Sequence, residues 1–456
     1  MDLKDARQAL NWVDMKTGVI DRKIFYDPDI YQMEMERVFA RAWLFMCHET
    51  QIPNPGDFFL NFMGEDRVIV VRNNEGGISV LVNSCRHRGN AVCRADEGHA
   101  TSFMCTYHGW TYDLNGALVG VPGFKEVYHE ELDRENWGLI KAPQVESYKG
   151  FVFATMDADA PNLHEYLGPT GEFGIDLIAD QGDMQIVGGV QKWTMKCNWK
   201  FPTDNTADFS HGLTSHQSAY ISVENDPKFG FFAGQGRGAQ GAARRRAVGS
   251  ANGRYTKAYA GIAEYGHVLG ASFLPGDWEE TFKDDPTLAW RYNSPLRNKT
   301  GELPRISNSM TNIFPNLFVP SSARQVAIRM PKGPTTTEIW YFTFIDKNAA
   351  PDVRELYRYR AVHQFAAAGL WEQDDGENWD QSTRGTMGVV ASRYPLNYQM
   401  GLGHGEIKQE EGGLPHIDAH VNETLQLWQY QAWAELMAAD SWDEWKKSHS
   451  IPGGTY

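Results

Sequence analysis

Tyr31, Met35, Val38 and Ala42 recur at offsets of four, three and four, which is one apolar stripe of a helix. Asp27-Pro28 just ahead reads as an N-cap followed by proline at the first helical position. After Pro53-Asn54-Pro55-Gly56 the texture changes to short strand-like runs. These are Val68 to Val71, a turn at Asn73 to Gly77, Ile78 to Val82 and, later, Gly150 to Thr155. Further on, Ile339 to Ile345 alternates and ends in charges, which predicts a half-buried strand. Pro351 to Ala368 predicts a helix stopped in a C-cap region at Gly369, and Asn422 to Ala439 predicts a second long helix. The Gly/Ala/Arg-rich stretch between Gly230 and Gly253, holding Arg244-Arg245-Arg246, predicts a loop. The pattern therefore divides the chain into a small all-β domain over about 40–158 and a larger α+β domain over 159–456. Residues 1–39 form an N-terminal helical segment packing on the larger one.

Composition narrows the classes. With 456 residues there is room for two or three cores. A formal net charge of −15 argues against nucleic acid or an anionic membrane as partner, while leaving room for local basic patches. No run of about 18 apolar residues occurs, so no segment is expected to span a bilayer. The first residues lack the basic-then-apolar build of a secretion signal. Cys47, Cys93 and Cys197 read as buried reduced thiols, which fits a cytoplasmic protein.

The chemistry begins at Cys85-Arg-His87 and, seventeen residues on, Cys105-Thr-Tyr-His108. Two Cys-plus-His pairs can hold a [2Fe–2S] cluster with thiolates on one iron and imidazoles on the other, the Rieske type. A Cys2His2 zinc site competes, but its usual spacing groups cysteines with cysteines and histidines with histidines. One Cys and one His per pair suits two loops closing over a two-iron cluster.

A second site follows in Asp208-Phe-Ser-His211-Gly-Leu-Thr-Ser-His216. Asp208 and His211, three apart, share a face if helical. His211 and His216, five apart, would point about 140° apart on a regular helix, so the helix must loosen between them, with Gly212 well placed for it. Two imidazoles and one carboxylate with open positions form the facial triad of non-haem Fe(II) oxygenases. The string Trp371-Glu-Gln-Asp374-Asp375-Gly-Glu is the strongest source of the carboxylate, although such acidic runs are usually solvated helix starts. His416-Ile-Asp-Ala-His420 offers two more imidazoles without an obvious third ligand.

These motifs resemble the large (α) subunits of Rieske non-haem iron aromatic-ring-hydroxylating dioxygenases, in their biphenyl, phenylpropionate and naphthalene branch. The resemblance runs from Asp27-Pro-Asp-Ile-Tyr to Trp371-Glu-Gln-Asp-Asp and includes Asn198-Trp-Lys. It implies a small all-β Rieske domain and an α+β catalytic domain built on an antiparallel sheet with flanking helices. It also implies that Cys85 and Cys105 bind one cluster iron and His87 and His108 the other. His211, His216 and Asp375 would bind the mononuclear Fe(II), the second Asp of the pair being the family's ligand. Asp208 would pass electrons to His211 from a neighbouring subunit's cluster, and Gly212, Tyr220, Phe365 and Trp371 would line the substrate pocket. The chain departs from the family pattern before Asp208. Asn205 stands three residues ahead and Asp204 four, where the family usually has Asn or Gln, so the role of Asn205 is open.

The implied activity is a terminal oxygenase placing both atoms of O2 on an aromatic ring to give a cis-dihydrodiol. A Rieske monooxygenase or demethylase would share every ligand, and an electron-transfer Rieske protein would use only the cluster. Gly234-Gln-Gly236-Arg-Gly238 lacks the strand–helix context of a dinucleotide fingerprint. NAD(P)H is therefore expected to act through a separate reductase and a small ferredoxin. A small β subunit in an α3β3 assembly, or an α3 trimer, is also implied.

Overall fold

The computed structural model describes residues 6–223, 226–229, 258–274, 278–281, 283–409, 413–418, 421–451 and 453–455. The Arg244–Arg246 stretch and His420 lie outside them. Contacts divide the chain into Met35–Leu163 and a unit formed by Met1–Glu34 with His164–Tyr456. The cuts fall at 34/35 and 163/164, against the 39/40 and 158/159 expected from the sequence pattern.

The smaller unit consists of three antiparallel sheets. One has four strands in the order Ile78–Val82, Asp66–Arg72, Asp57–Met63, Glu97–His99. A second joins Gln144–Tyr148, Phe151–Thr155 and Leu44–His48, and a third joins Leu118–Gly120, Thr111–Tyr112 and Phe103–Met104. Phe58, Leu60, Ile69, Val71 and Leu81 close a core that also takes in Cys85 and Cys105.

The larger unit is built on a ten-stranded antiparallel sheet. Its order is Met184–Ile186, Thr337–Asp346, Gln325–Pro331, Leu317–Pro320, Ser307–Ile313, Val268–Phe273, Tyr259–Ile262, His416–Asp418, Glu406–Lys408, with Gln191–Met195 also pairing Thr337–Asp346. The Thr337–Asp346 strand is a correction to the half-buried strand expected there: Ile339 to Ile345 are all buried.

Helix α1, Pro28–Glu34, starts as expected. Asp27 Oδ1 accepts from the backbone N–H groups of Asp29 (2.8 Å) and Ile30 (3.2 Å). The expected continuous stripe to Ala42 is instead broken, because Met35–Phe39 forms a π-helical turn. Helix α2 is Leu163–Ala179, kinked at Gly168. Short helices α3 (Lys200–Asp204), α4 (Gly212–Ser215) and α5 (Gln217–Val223) follow. Helix α6, Pro351–His363, stops short of Ala368. Gly369 does not close it but caps the start of α7, Leu370–Thr386. A Cβ on Gly369 would meet the Gln364 carbonyl oxygen at 2.1 Å, so close backbone approach requires glycine there. Helix α8, Thr424–Ala438, is buried on nearly every side.

Under α8 lies a buried ion pair. Glu34 Oε1 accepts from Lys200 Nζ (2.5 Å) and Trp433 Nε1 (3.0 Å), and Oε2 accepts from Trp199 Nε1 (2.9 Å). Burial pushes the carboxyl up and the ammonium down.

Candidate metal centres

In the smaller unit two loops are built alike. Cys85 N–H donates to Asn90 O (2.9 Å) and Gly89 N–H to Cys85 O (2.8 Å). Cys105 N–H donates to Trp110 O (2.8 Å) and Gly109 N–H to Cys105 O (2.9 Å). Gly89 and Gly109 both take φ of 74°, a left-handed turn that a side chain strains, and a Cβ on Gly109 would meet Pro122 Cγ at 2.9 Å. The loops bring the His87 and His108 rings to a centroid separation of 4.5 Å, and Trp110 stacks on His87 at 5.1 Å. Burial, then the neighbouring His108, hold the His87 imidazole below its ordinary value. His87 Nδ1 is buried without a hydrogen-bond partner. An orphaned imidazole nitrogen beside buried thiols is a donor set that fits a cluster. Tyr112 Oη stands 3.3 Å from Cys85 Sγ and accepts from Arg86 N–H at 3.1 Å, a contact the spacing of the motif did not announce.

In the larger unit, α4 and α5 are separate four- and seven-residue helices, with His211 just before the first and His216 between them. The break expected between the two histidines is thus a break at each of them. Asp208 ends a 3-10 turn in extended backbone, so it does not share a helical face with His211, a correction to the spacing argument. The bend still turns its carboxylate onto the ring, Oδ2 lying 3.2 Å from His211 Nδ1. Ser210 donates from its N–H and its hydroxyl to Asp208 Oδ1, each at 2.6 Å.

Asp375 sits in the second turn of α7, with Glu372, Asp375, Gly376 and Trp379 forming its buried face rather than a solvated start. Three donor atoms converge there. His211 Nε2 and His216 Nε2 are 3.2 Å apart, and Asp375 Oδ1 is 3.3 Å from each. Among the described residues, His211, His216 and Asp375 are the one group of three such side chains close enough to share an ion. Ligands about 2.1 Å from one ion at right angles lie about 3 Å apart, so the triangle has the dimensions of an octahedral face. Asp375 Oδ1 is buried with no hydrogen-bond donor, as a cation ligand would be.

Burial opposes charge on His211, but Asp375 and Asp208 outweigh it and hold the imidazole up at about 10. Burial also opposes the Asp208 carboxylate, yet hydrogen bonds from His211 and Ser210 bring it down to about 2. Burial lowers His216, favouring the neutral ring that binds metals.

Trp371 lies four residues before Asp375 on α7, so the two share a helix face, and Tyr220 in α5 donates its N–H to the His216 carbonyl (3.0 Å). The two rings meet edge-on at 5.7 Å, and Phe229 joins Trp371 at 6.1 Å. Phe365 packs on Phe318 at 5.9 Å. A Cβ on Gly212 would meet only His216 Cδ2, at 4.0 Å. Asp208 also borders a cavity of about 410 Å³ lined by Asp204, Asn205, Asn378, Trp379 and Glu423, among others.

Asp204 is engaged elsewhere. Its Oδ2 accepts from Tyr398 Oη (2.8 Å) and Tyr430 Oη (2.7 Å), and burial pushes its pKa up to about 7. The native state then binds more protons than the unfolded chain between about pH 4 and pH 7, so stability falls as pH rises through that window. The gap between the ordinary carboxyl value and about 7 corresponds to roughly 4 kcal/mol. Asp204→Asn is expected to remove that decline, read as urea midpoints that differ less between about pH 5 and pH 8 than in the parent. An unchanged difference would contradict the assignment.

Against known proteins, residues 184–427 match the ring hydroxylating alpha subunit (catalytic domain) family and residues 42–146 the Rieske [2Fe-2S] domain family. The chain is 37% identical over 436 residues to the biphenyl 2,3-dioxygenase α subunit of Rhodococcus jostii strain RHA1, covering 94% of this chain and 91% of that one. It is 34% identical over 448 residues to the benzene 1,2-dioxygenase α subunit of Pseudomonas putida, covering 95% and 94%. The naphthalene 1,2-dioxygenase structure with indole bound in its active site superposes with a TM-score of 0.83 at 26% identity, covering 96% of both chains.

Proposed function

This chain belongs to the ring-hydroxylating α-subunit family, and from that premise we propose which of its residues carry the activity and on what substrate. It is an aromatic-ring-hydroxylating dioxygenase subunit with a Rieske domain and a mononuclear-iron catalytic domain. When bound, the cluster supplies electrons singly and the mononuclear Fe(II) supplies the position at which O2 is reduced beside the ring.

Cys85, His87, Cys105 and His108 hold the cluster, and His211, His216 and Asp375 hold the single iron. The observation that carries this reading is the triangle of Nε2, Nε2 and Oδ1 atoms at 3.2–3.3 Å. Trp371, Tyr220 and Phe229 keep water out and orient a flat apolar substrate by shape. Gly212 leaves room beside His216, and the family resemblance assigns Phe365 to the pocket wall. Asp208 accepts the Nδ1 proton of His211, fixing its tautomer, and forms the bridge toward a neighbouring subunit's cluster. Asp208 also lines a cavity that His211 does not line, which supports that role.

The substrate is a small aromatic hydrocarbon of one or two rings, the class named for the biphenyl, benzene and naphthalene relatives. The product is a cis-dihydrodiol. Electrons come from NAD(P)H through a reductase and a ferredoxin, and the chain assembles as α3 or, with a small β subunit, α3β3. Turnover under labelled O2 tests the reaction: two labelled oxygens in the product are expected, whereas one would assign a monooxygenase.

A further inference from the structure

Each histidine of the triangle turns its second ring nitrogen away from the shared face. His211 Nδ1 meets Asp208 Oδ2 at 3.2 Å. Both Nδ1 atoms are buried and neither makes a well-aligned hydrogen bond, and Asp374 Oδ2 stands 3.6 Å from that of His216. Ser218 Oγ lies 3.3 Å from both oxygens of Asp374 and holds the carboxylate in place. Asn378 Nδ2 donates to Ser215 Oγ (3.1 Å) and to the Asp374 carbonyl (3.2 Å), tying the end of α4 to α7.

An imidazole that binds a metal through Nε2 carries its proton on Nδ1, and leaving that buried N–H without an acceptor is destabilising. A carboxylate there fixes the tautomer and ring orientation and raises the basicity of the ligating nitrogen. On the reading that His216 is an iron ligand, we propose that Asp374 is a positioning residue whose carboxylate accepts the His216 Nδ1–H and presents Nε2 to the metal. Two adjacent residues of α7 then divide the work: Asp375 faces the ion and Asp374 braces the imidazole opposite it. Each histidine gains its own carboxylate, Asp208 for His211 and Asp374 for His216. Both carboxylates are partly open to solvent, each with 27% of its side chain exposed, and Asp208 also borders the cavity.

Metal affinity tests this without reference to turnover. Protein with its cluster in place and the single iron removed by chelation is titrated calorimetrically with Co(II). Asp374→Asn and Asp374→Ala are expected to weaken Co(II) binding about 10–100-fold, with the cluster absorption unchanged. Asp374→Asn preserves side-chain shape and carries the test if the alanine variant does not fold. Co(II) affinities within about twofold of the parent in the folded Asp374 variants would overturn the proposal. His216→Ala separates this inference from the reading beneath it. That variant is expected to lose the Co(II) site, and if it binds Co(II) as the parent does, the metal-centre reading itself fails.

Discussion

Asp375→Ala is expected to abolish ring hydroxylation while leaving the visible absorption of the cluster intact. Asp375 Oδ1 is the only carboxylate oxygen among the described residues that lies 3.3 Å from both His211 Nε2 and His216 Nε2. Without it, a half-buried and a buried imidazole face one another at 3.2 Å with no anion to complete a set of three. A bound metal ion contributes several kcal/mol to the transition state. At about 1.4 kcal/mol per tenfold, its loss lowers turnover by about 10³ or more. The cluster ligands belong to the other unit, Met35–Leu163, so their spectrum reports independently on the rest of the chain. Product formation within about tenfold of the parent would remove Asp375 from the site. His216→Ala carries the same expectation.

Lys200→Met is expected to cost several kcal/mol of stability. It removes the cation from Glu34 and leaves a fully buried carboxylate with only two indole N–H donors. Breaking a buried pair from one side costs about 3–5 kcal/mol. For a unit of this size that lowers the thermal midpoint by about 4–7 °C. Glu34→Gln combined with Lys200→Met removes both charges and is expected to melt above the Lys200→Met single variant. A double variant that melts at the sum of the two single losses would show that the pair is not energetically coupled.

Much of this architecture was legible in the sequence, for physical reasons that differ by element. The strand Ile78–Val82 and the capped start at Pro28 follow from alternation and from an Asx cap, which are local effects. The Thr337–Asp346 strand was legible as a strand but not as a core one. Trp340 and Tyr341 look amphipathic in sequence, yet their polar tips are satisfied internally, Trp340 Nε1 on Glu338 and Tyr341 Oη on Glu372. Gly369 marked an irregular point, but crowding against Gln364 explains it better than a helix C-cap.

At the candidate centre, the residue types and spacings announced His211, His216 and the Asp374-Asp375 pair. They could not convey that α4 and α5 are separate helices, because that depends on where the chain is pinned in three dimensions. Ser218, Tyr112 and the tyrosines around Asp204 carry no motif of their own. Only the fold brings Tyr398 and Tyr430 to a carboxyl nearly two hundred or more positions earlier.

The central claim is that one ion sits on the face made by His211 Nε2, His216 Nε2 and Asp375 Oδ1, apart from a two-iron cluster at Cys85, His87, Cys105 and His108. Anomalous scattering at the iron edge from crystals of active protein measures this directly. The expected map has one peak on that face and a pair between the two loops. A catalytically competent crystal whose only iron peaks lie at the cluster, or whose third peak lies on other ligands, would contradict the claim.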